Sequence, residues 1–223
     1  MYMKLKCVFL LFWINLSAIA QLPDGFVYVD DLIPDVQIVI RYCLNNNFVG
    51  SPIDGYNAEV CILSKQATLA LKKVQDELRK QNLTLKVFDA YRPQRAVNHF
   101  SKWAKRVNDT LMKRQFYPEV DKRNLFKEGY IASRSRHSSG STLDLTIVDL
   151  KSCKALDMGT PYDYFGRASW FLNDNLTETQ RSNRLLLHNV MKKHGFRHYP
   201  QEWWHFTLQG EPFKDQYFDF LVE

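Results

Sequence analysis

Glycine and proline are scarce in this 223-residue chain, nine and eight residues respectively, which excludes collagen-like repeats and Pro/Gly-rich low-complexity sequence. Basic residues form no run of five or six, although 30 Lys and Arg against 24 Asp and Glu leave a net charge of +6. That dispersal removes the electrostatic stripe of a nucleic-acid-binding protein. No internal repeat and no Gly/Ser linker divides the chain. A chain of this length buries a real core as one domain. Cysteine is sparse, four residues in all, and the spacings match no four-cysteine zinc motif. Aromatic residues are abundant by contrast: 15 Phe, 11 Tyr and 5 Trp, more than a disordered segment carries.

The first residues carry an address. Lys4 and Lys6 precede an apolar stretch from Cys7 to Trp13, and Ala18-Ile19-Ala20 offers the small residues of a cleavage site. Residues 1–20 are therefore expected to be a signal peptide cut before Gln21, leaving 21–223 as the mature domain. The apolar run falls short of the roughly 20 residues a spanning helix needs, and Asn15 and Ser17 interrupt it. No second stretch of spanning length follows, and no lipobox precedes Cys7. The expectation is an exported protein, periplasmic or secreted, with no stable membrane anchor. Cys43, Cys61 and Cys153 remain after cleavage. They allow one disulfide, Cys43 with Cys61, or three separate thiols. The sequons at Asn82, Asn108 and Asn175 are read as chance matches.

Along the mature chain helical and strand signals mix without regular alternation, which predicts an α+β fold: a small mixed or antiparallel sheet flanked by helices. Val36 to Ile40 is β-branched and reads as a strand. Ser64 can cap a helix bearing Ala67, Leu71, Val74 and Leu78 on one face. Leu85 and Val87 alternate in a strand ending at Asp89. Pro93 suits the start of a second helix through Ala96, Phe100, Trp103 and Val107. Leu143, Leu145 and Ile147 alternate with Asp144 and Thr146, a strand expected to bury one face and present the other. Thr177 can cap a third helix stopped by Gly195, and Trp203 to Leu208 reads as a last strand.

Three segments carry residues capable of chemistry. Ser135-Arg136-His137-Ser138-Ser139-Gly140-Ser141-Thr142-Leu143-Asp144 sets an imidazole and a carboxylate either side of a Gly-eased bend. Glu202-Trp203-Trp204-His205 adds a second imidazole and a second carboxylate. Residues three apart on a regular strand face opposite ways, so Glu202 is expected in the turn after Pro200 if it shares a cleft with His205. Asp89-Ala90-Tyr91-Arg92-Pro93 sits where a strand gives way to a helix. Two imidazoles and one carboxylate make a three-ligand zinc site with an open position, where bound water becomes acidic near pH 7. Glu202 could then move the proton and Arg92 could stabilise an oxyanion. Singly, each feature has an ordinary reading: a surface His, a hydrogen-bonding Asp, a helix start. Together they point to a metal centre.

The Ser-x-His-x-x-Gly-x-Thr-x-Asp segment, the Glu-x-x-His segment and Tyr91-Arg92-Pro93 resemble the zinc D-alanyl-D-alanine peptidases, most nearly the VanX-type dipeptidase branch. Ile40-Arg41-Tyr42 with Asn46 to Gly50, Gly55-Tyr56-Asn57, and Leu156 to Asp163 support that branch. The similarity runs from about Gly25 to the end of the chain. It implies one zinc ion per chain on His137, Asp144 and His205, with Glu202 as general base and acid and Arg92 steadying the transition state. It further implies Asp163 as partner of the substrate's free amine, Ser135 lining the site, and the dipeptide D-Ala-D-Ala as the small-molecule substrate. Thr142 departs from the alanine usual at its position in the wider family.

Two other functions compete. A D,D-carboxypeptidase or wall endopeptidase would use the same chemistry on longer peptides, with a cleft open at the amine end. A non-catalytic zinc-containing wall-binding module would keep the ligands and lose the base or the arginine, and here both Glu202 and Arg92 are present.

Overall fold

The apolar alternation at 143–147 and its neighbours at 83–89 and 202–208 become the centre of the sheet. In the computed structural model, which describes residues 22–223, β4 (Leu83–Asp89), β5 (Thr142–Asp149) and β8 (Glu202–Leu208) lie side by side. The six-stranded sheet is completed by β2 (Gln37–Ile38) beside β4, β7 (Phe196–Tyr199) beside β8, and β6 (Lys154–Ala155) against the end of β5. The β2–β4 pair is parallel and the rest antiparallel, a mixed sheet as expected. A separate two-stranded pair joins β1 (Phe26–Tyr28) to β3 (Ile62–Ser64).

Helices form where the sequence places caps. Ser64 accepts a hydrogen bond from the Ala67 amide at the start of α2 (Lys65–Arg79), following a one-turn α1 (Val29–Leu32). Thr177 and Gln180 close a capping box at the start of α5 (Glu178–Lys193). Leu71, Val74 and Leu78 of α2, and Leu187, Val190 and Met191 of α5, are buried where these helices pack on β4, β7 and β8. Between them come α3 (Gln94–Lys105) and a one-turn α4 (Lys113–Phe116). Phe100 and Trp103 of α3 join Phe48, Tyr117 and Phe165 in an aromatic cluster.

Three expectations are corrected, and one open alternative is decided. The strand expected at 36–40 shrinks to Gln37–Ile38, because the chain turns into a 3-10 helix at Arg41. Helix α3 ends at Lys105, leaving Val107 exposed beyond it. Strand β5 is buried on both faces from Thr142 to Val148, since loops roof the side that carries Asp144 and Thr146. Cys43 and Cys61 are free thiols, as is Cys153. The expected signal peptide, residues 1–20, lies outside the described residues.

Candidate metal centre and cleft

Pairing register brings the polar residues into one row across the sheet. Asp144 of β5 lies directly opposite His205 of β8 and, on its other side, opposite Asp89 of β4. A regular β4 would keep Asp89 on the same face as Val87. A register shift between those residues turns Asp89 to the cleft. A second irregularity, between the Glu202 and Phe206 pairings with β7, solves the problem of two residues three apart sharing a face. Glu202 therefore opens strand β8 instead of sitting in the preceding turn, a correction with a local cause.

His137 reaches the row from a short 3-10 turn, Arg136–Ser139, that runs into β5. Ser135 caps that turn, its hydroxyl accepting from the His137 amide at 3.3 Å. Gly140 ends it at φ +77°, where an added Cβ would lie 2.1 Å from the Phe26 ring. His137 Nδ1 donates to the Ala90 carbonyl at 2.7 Å, which leaves the Nε2 lone pair for the cleft. Thr142 shares a hydrogen bond of 2.9 Å with Thr207 across β5 and β8, so the hydroxyl that departs from the family pattern is satisfied inside the sheet.

Three donor atoms converge. His137 Nε2 lies 3.4 Å from Asp144 Oδ1 and 3.3 Å from His205 Nδ1, and His205 Nδ1 lies 3.1 Å from Asp144 Oδ1. A tetrahedral site with ligand bonds of about 2.0–2.1 Å has donor–donor edges of about 3.3–3.4 Å, close to what these side chains hold. Asp144 Oδ1 is buried, and no well-directed hydrogen bond reaches it. A buried carboxylate oxygen without a partner is costly, and a cation at the centre of the three atoms would satisfy it. Among the described residues this is the one group of three or more His, Cys, Asp or Glu side chains close enough to share a metal ion.

The surroundings are charged and tightly held. Glu202 Oε2 lies 3.4 Å from His205 Nδ1. Burial pushes the Glu202 carboxyl up to about 7, against the pull of His205. Burial acts on Asp144 in the same direction, but the attraction of His137 and His205 overcomes it and keeps that carboxyl low. Arg92 donates through Nε to Asp89 Oδ2 at 2.9 Å, its Nη2 pairs with the same oxygen at 2.8 Å, and Nη2 lies 3.7 Å from Asp144 Oδ2. Its guanidinium also stacks over Tyr42 and Phe100. Tyr56 donates to the other oxygen of the fully buried Asp89 at 2.6 Å. Asp163, buried and at φ +64°, accepts from the Tyr42 hydroxyl at 3.0 Å. Burial, then the nearby Asp144 charge, pushes its carboxyl well above the usual range.

His137, Asp144, His205, Glu202, Arg92, Asp163 and Ser135 all line one cavity of about 290 Å³. A sequence profile described as D-ala-D-ala dipeptidase, of peptidase family M15, matches residues 23–223. The chain belongs to this dipeptidase family. Its relatives include the D-alanyl-D-alanine dipeptidases of Enterococcus faecalis (36% identical over 199 residues) and Enterococcus faecium (34% over 199), each alignment spanning 89% of this chain and 98% of the relative. The Streptomyces coelicolor D-alanyl-D-alanine dipeptidase is 36% identical over 197 residues, 88% of this chain and 98% of its own. Within this family member, sequence reasoning gave no role to Asp89, Tyr42, Tyr56 or Tyr162. All four lie within the motifs already noted, Asp89 heading the Arg92 segment and the tyrosines beside Arg41, Gly55 and Pro161. What was invisible is the bonding that ties them to the site.

Proposed function

We propose that the protein is a zinc metallopeptidase that hydrolyses D-Ala-D-Ala to two molecules of D-alanine, with one zinc ion held by His137, Asp144 and His205. The carrying observation is the convergence of three donor atoms beside Glu202 and Arg92 in a cavity of about 290 Å³. That volume is at the small end of ordinary ligand pockets, about 300–1,000 Å³, and suits a dipeptide better than an extended strand of peptide. When bound, zinc supplies Lewis acidity, polarising the scissile carbonyl and making water acidic enough to react near neutral pH.

The chain's own residues do the rest. Glu202 takes the proton of the attacking water and returns it to the leaving amine. Arg92, fixed by Asp89 and by two aromatic rings, presents positive charge where the carbonyl oxygen gains negative charge. Asp163 faces the free ammonium of the dipeptide, and Ser135 lines the same wall. With Glu202 and Arg92 both in the cleft, a binding-only module is disfavoured. Residues 1–20 act as an export signal in this reading, which puts the mature protein in the periplasm or medium. Among the described residues no helix is long and apolar enough to cross a membrane.

The deciding assay is D-alanine release by the purified zinc-loaded chain from D-Ala-D-Ala and from a pentapeptide ending in D-Ala-D-Ala. Rapid cleavage of the dipeptide alone is expected. Preference for the pentapeptide would move the function to wall trimming, and inertness toward both with zinc bound would overturn the enzymatic reading.

A further inference from the structure

We propose that Tyr130, stacked on Phe165, closes the amine end of the cleft and sets the upper length of the substrate. The inference rests on the dipeptidase reading above and assigns its length limit to a particular side chain.

Beside the catalytic cavity lies a second cavity of about 450 Å³, lined by Glu119, Glu128, Gly166, Arg167, Trp170 and Gln201 among others. Among the described residues, Tyr130 is the one that lines both. The boundary can be followed along two chain segments. Gly129 faces the inner cavity and Glu128 the outer one; Phe165 faces the inner cavity and Gly166 the outer one. Where the segments meet, the Tyr130 and Phe165 rings stack with centroids 5.0 Å apart and planes inclined by 15°. A third segment crosses the same boundary, with Tyr199 and Glu202 facing the inner cavity and Gln201 the outer one, so the stacked rings form one side of the partition.

Each ring is anchored from behind. The amides of Tyr130 and Ile131 both donate to the Leu125 carbonyl, at 3.0 and 3.1 Å. The Phe165 amide donates to the Phe116 carbonyl at 2.7 Å. Trp170 Nε1 points at the Tyr130 hydroxyl from the outer cavity at 3.5 Å. Asp163, the proposed partner of the substrate ammonium, is two residues from Phe165 and lines the inner cavity. A peptide extended at its amino end must leave the cleft from Asp163, and each added residue needs about 3.3–3.6 Å of path. Phe165 follows Asp163 by two residues and lines the same cavity with Tyr130, and the proposal sets the stacked rings across that exit. Longer substrates therefore meet two obstacles, loss of the ammonium that Asp163 receives and a clash with the rings. Only the second depends on Tyr130.

The test compares kcat/KM for D-Ala-D-Ala with that for the tripeptide L-Ala-D-Ala-D-Ala in the zinc-loaded wild type, Tyr130→Ala, Tyr130→Phe and Phe165→Leu. The wild type should strongly prefer the dipeptide. Tyr130→Ala should raise the tripeptide-to-dipeptide ratio roughly tenfold or more, a size effect of the kind pockets ordinarily impose. Tyr130→Phe keeps the ring and should keep the wild-type ratio. An unchanged ratio in folded Tyr130→Ala overturns the proposal; should that variant not fold, an unchanged ratio in Phe165→Leu does so. Wild-type protein that cleaves the tripeptide as fast as the dipeptide also overturns the gate while leaving the zinc chemistry in place. Wild-type protein inert toward both peptides overturns the dipeptidase reading beneath it.

Discussion

Asp144 uses its two carboxylate oxygens differently. Oδ2 accepts from the Tyr162 hydroxyl at 3.2 Å and faces Arg92, while Oδ1 stays free toward the two imidazoles. Tyr162 in turn contacts Tyr42 at 3.0 Å, and Tyr42 donates to Asp163, so a line of hydroxyls joins a proposed ligand to the proposed amine site. Glu202 stands apart from that line, and its buried carboxyl is raised to about 7. A base with such a pKa is well matched to proton transfer near neutral pH. Glu202→Ala should therefore leave zinc bound and lower kcat by about 10²–10⁴-fold, read by metal analysis beside steady-state rates. In the wild type kcat/KM should fall as pH drops through the Glu202 ionisation, because the protonated carboxyl cannot accept a proton; a bound cation would move that limb below 7. Near-normal turnover in the variant would remove Glu202 from the mechanism.

Helix α5 holds the cleft-lining loop from behind, above all through one buried side chain. Arg184, buried at 2% exposure, donates to the carbonyls of Met158, Ala168 and Trp170 at 2.7, 2.9 and 2.6 Å. Those bonds fasten the 158–170 segment, which carries Tyr162, Asp163 and Phe165, to the rigid side of the sheet. Arg184→Leu should cost about 3–5 kcal/mol, since it orphans three carbonyls at about 1–3 kcal/mol each before relaxation. It should also raise KM more than it lowers kcat, as measured by urea unfolding and by kinetics on D-Ala-D-Ala. A stability within about 1 kcal/mol of wild type would contradict this anchoring. At this scale the sequence was readable where the signal is local. The caps Ser64 and Thr177 and the apolar spacing behind them give helices with the expected starts. Register shifts before Asp89 and within β8 leave no such mark, because a bulge is decided by what both partner strands must satisfy.

The site draws on residues from Tyr42 to His205, brought together by the sheet and by loops that close over it. His137, Asp144 and His205 were legible in the sequence because metal chemistry restricts the residue types. The aromatic roof was not, because phenylalanines and tyrosines are common in this chain and only packing distinguishes a wall from a core. The frame is fastened independently of the ligand atoms. Phe218 binds the carbonyl of Ser138 and the amide of Gln94, and the Phe220 carbonyl accepts from Tyr91, at 2.9, 2.9 and 3.0 Å. The Val222 carbonyl accepts from the Asn57 amide at 2.8 Å, beside Tyr56. One segment, residues 218–222, thereby ties together the loops bearing His137, Arg92 and Tyr56. With that frame in place, metal removal should abolish activity without unfolding the chain. Chelation should eliminate D-alanine release and leave the far-UV circular dichroism unchanged. At a free zinc concentration 100 times Kd, bound metal adds about 2.7 kcal/mol, so chelation should lower Tm by about 5–11 °C for a chain of this size. Added zinc should restore both. Collapse of the dichroism on chelation would mean that the metal builds the frame, and activity in demonstrably metal-free protein would mean that the three converging donor atoms serve some purpose other than catalysis.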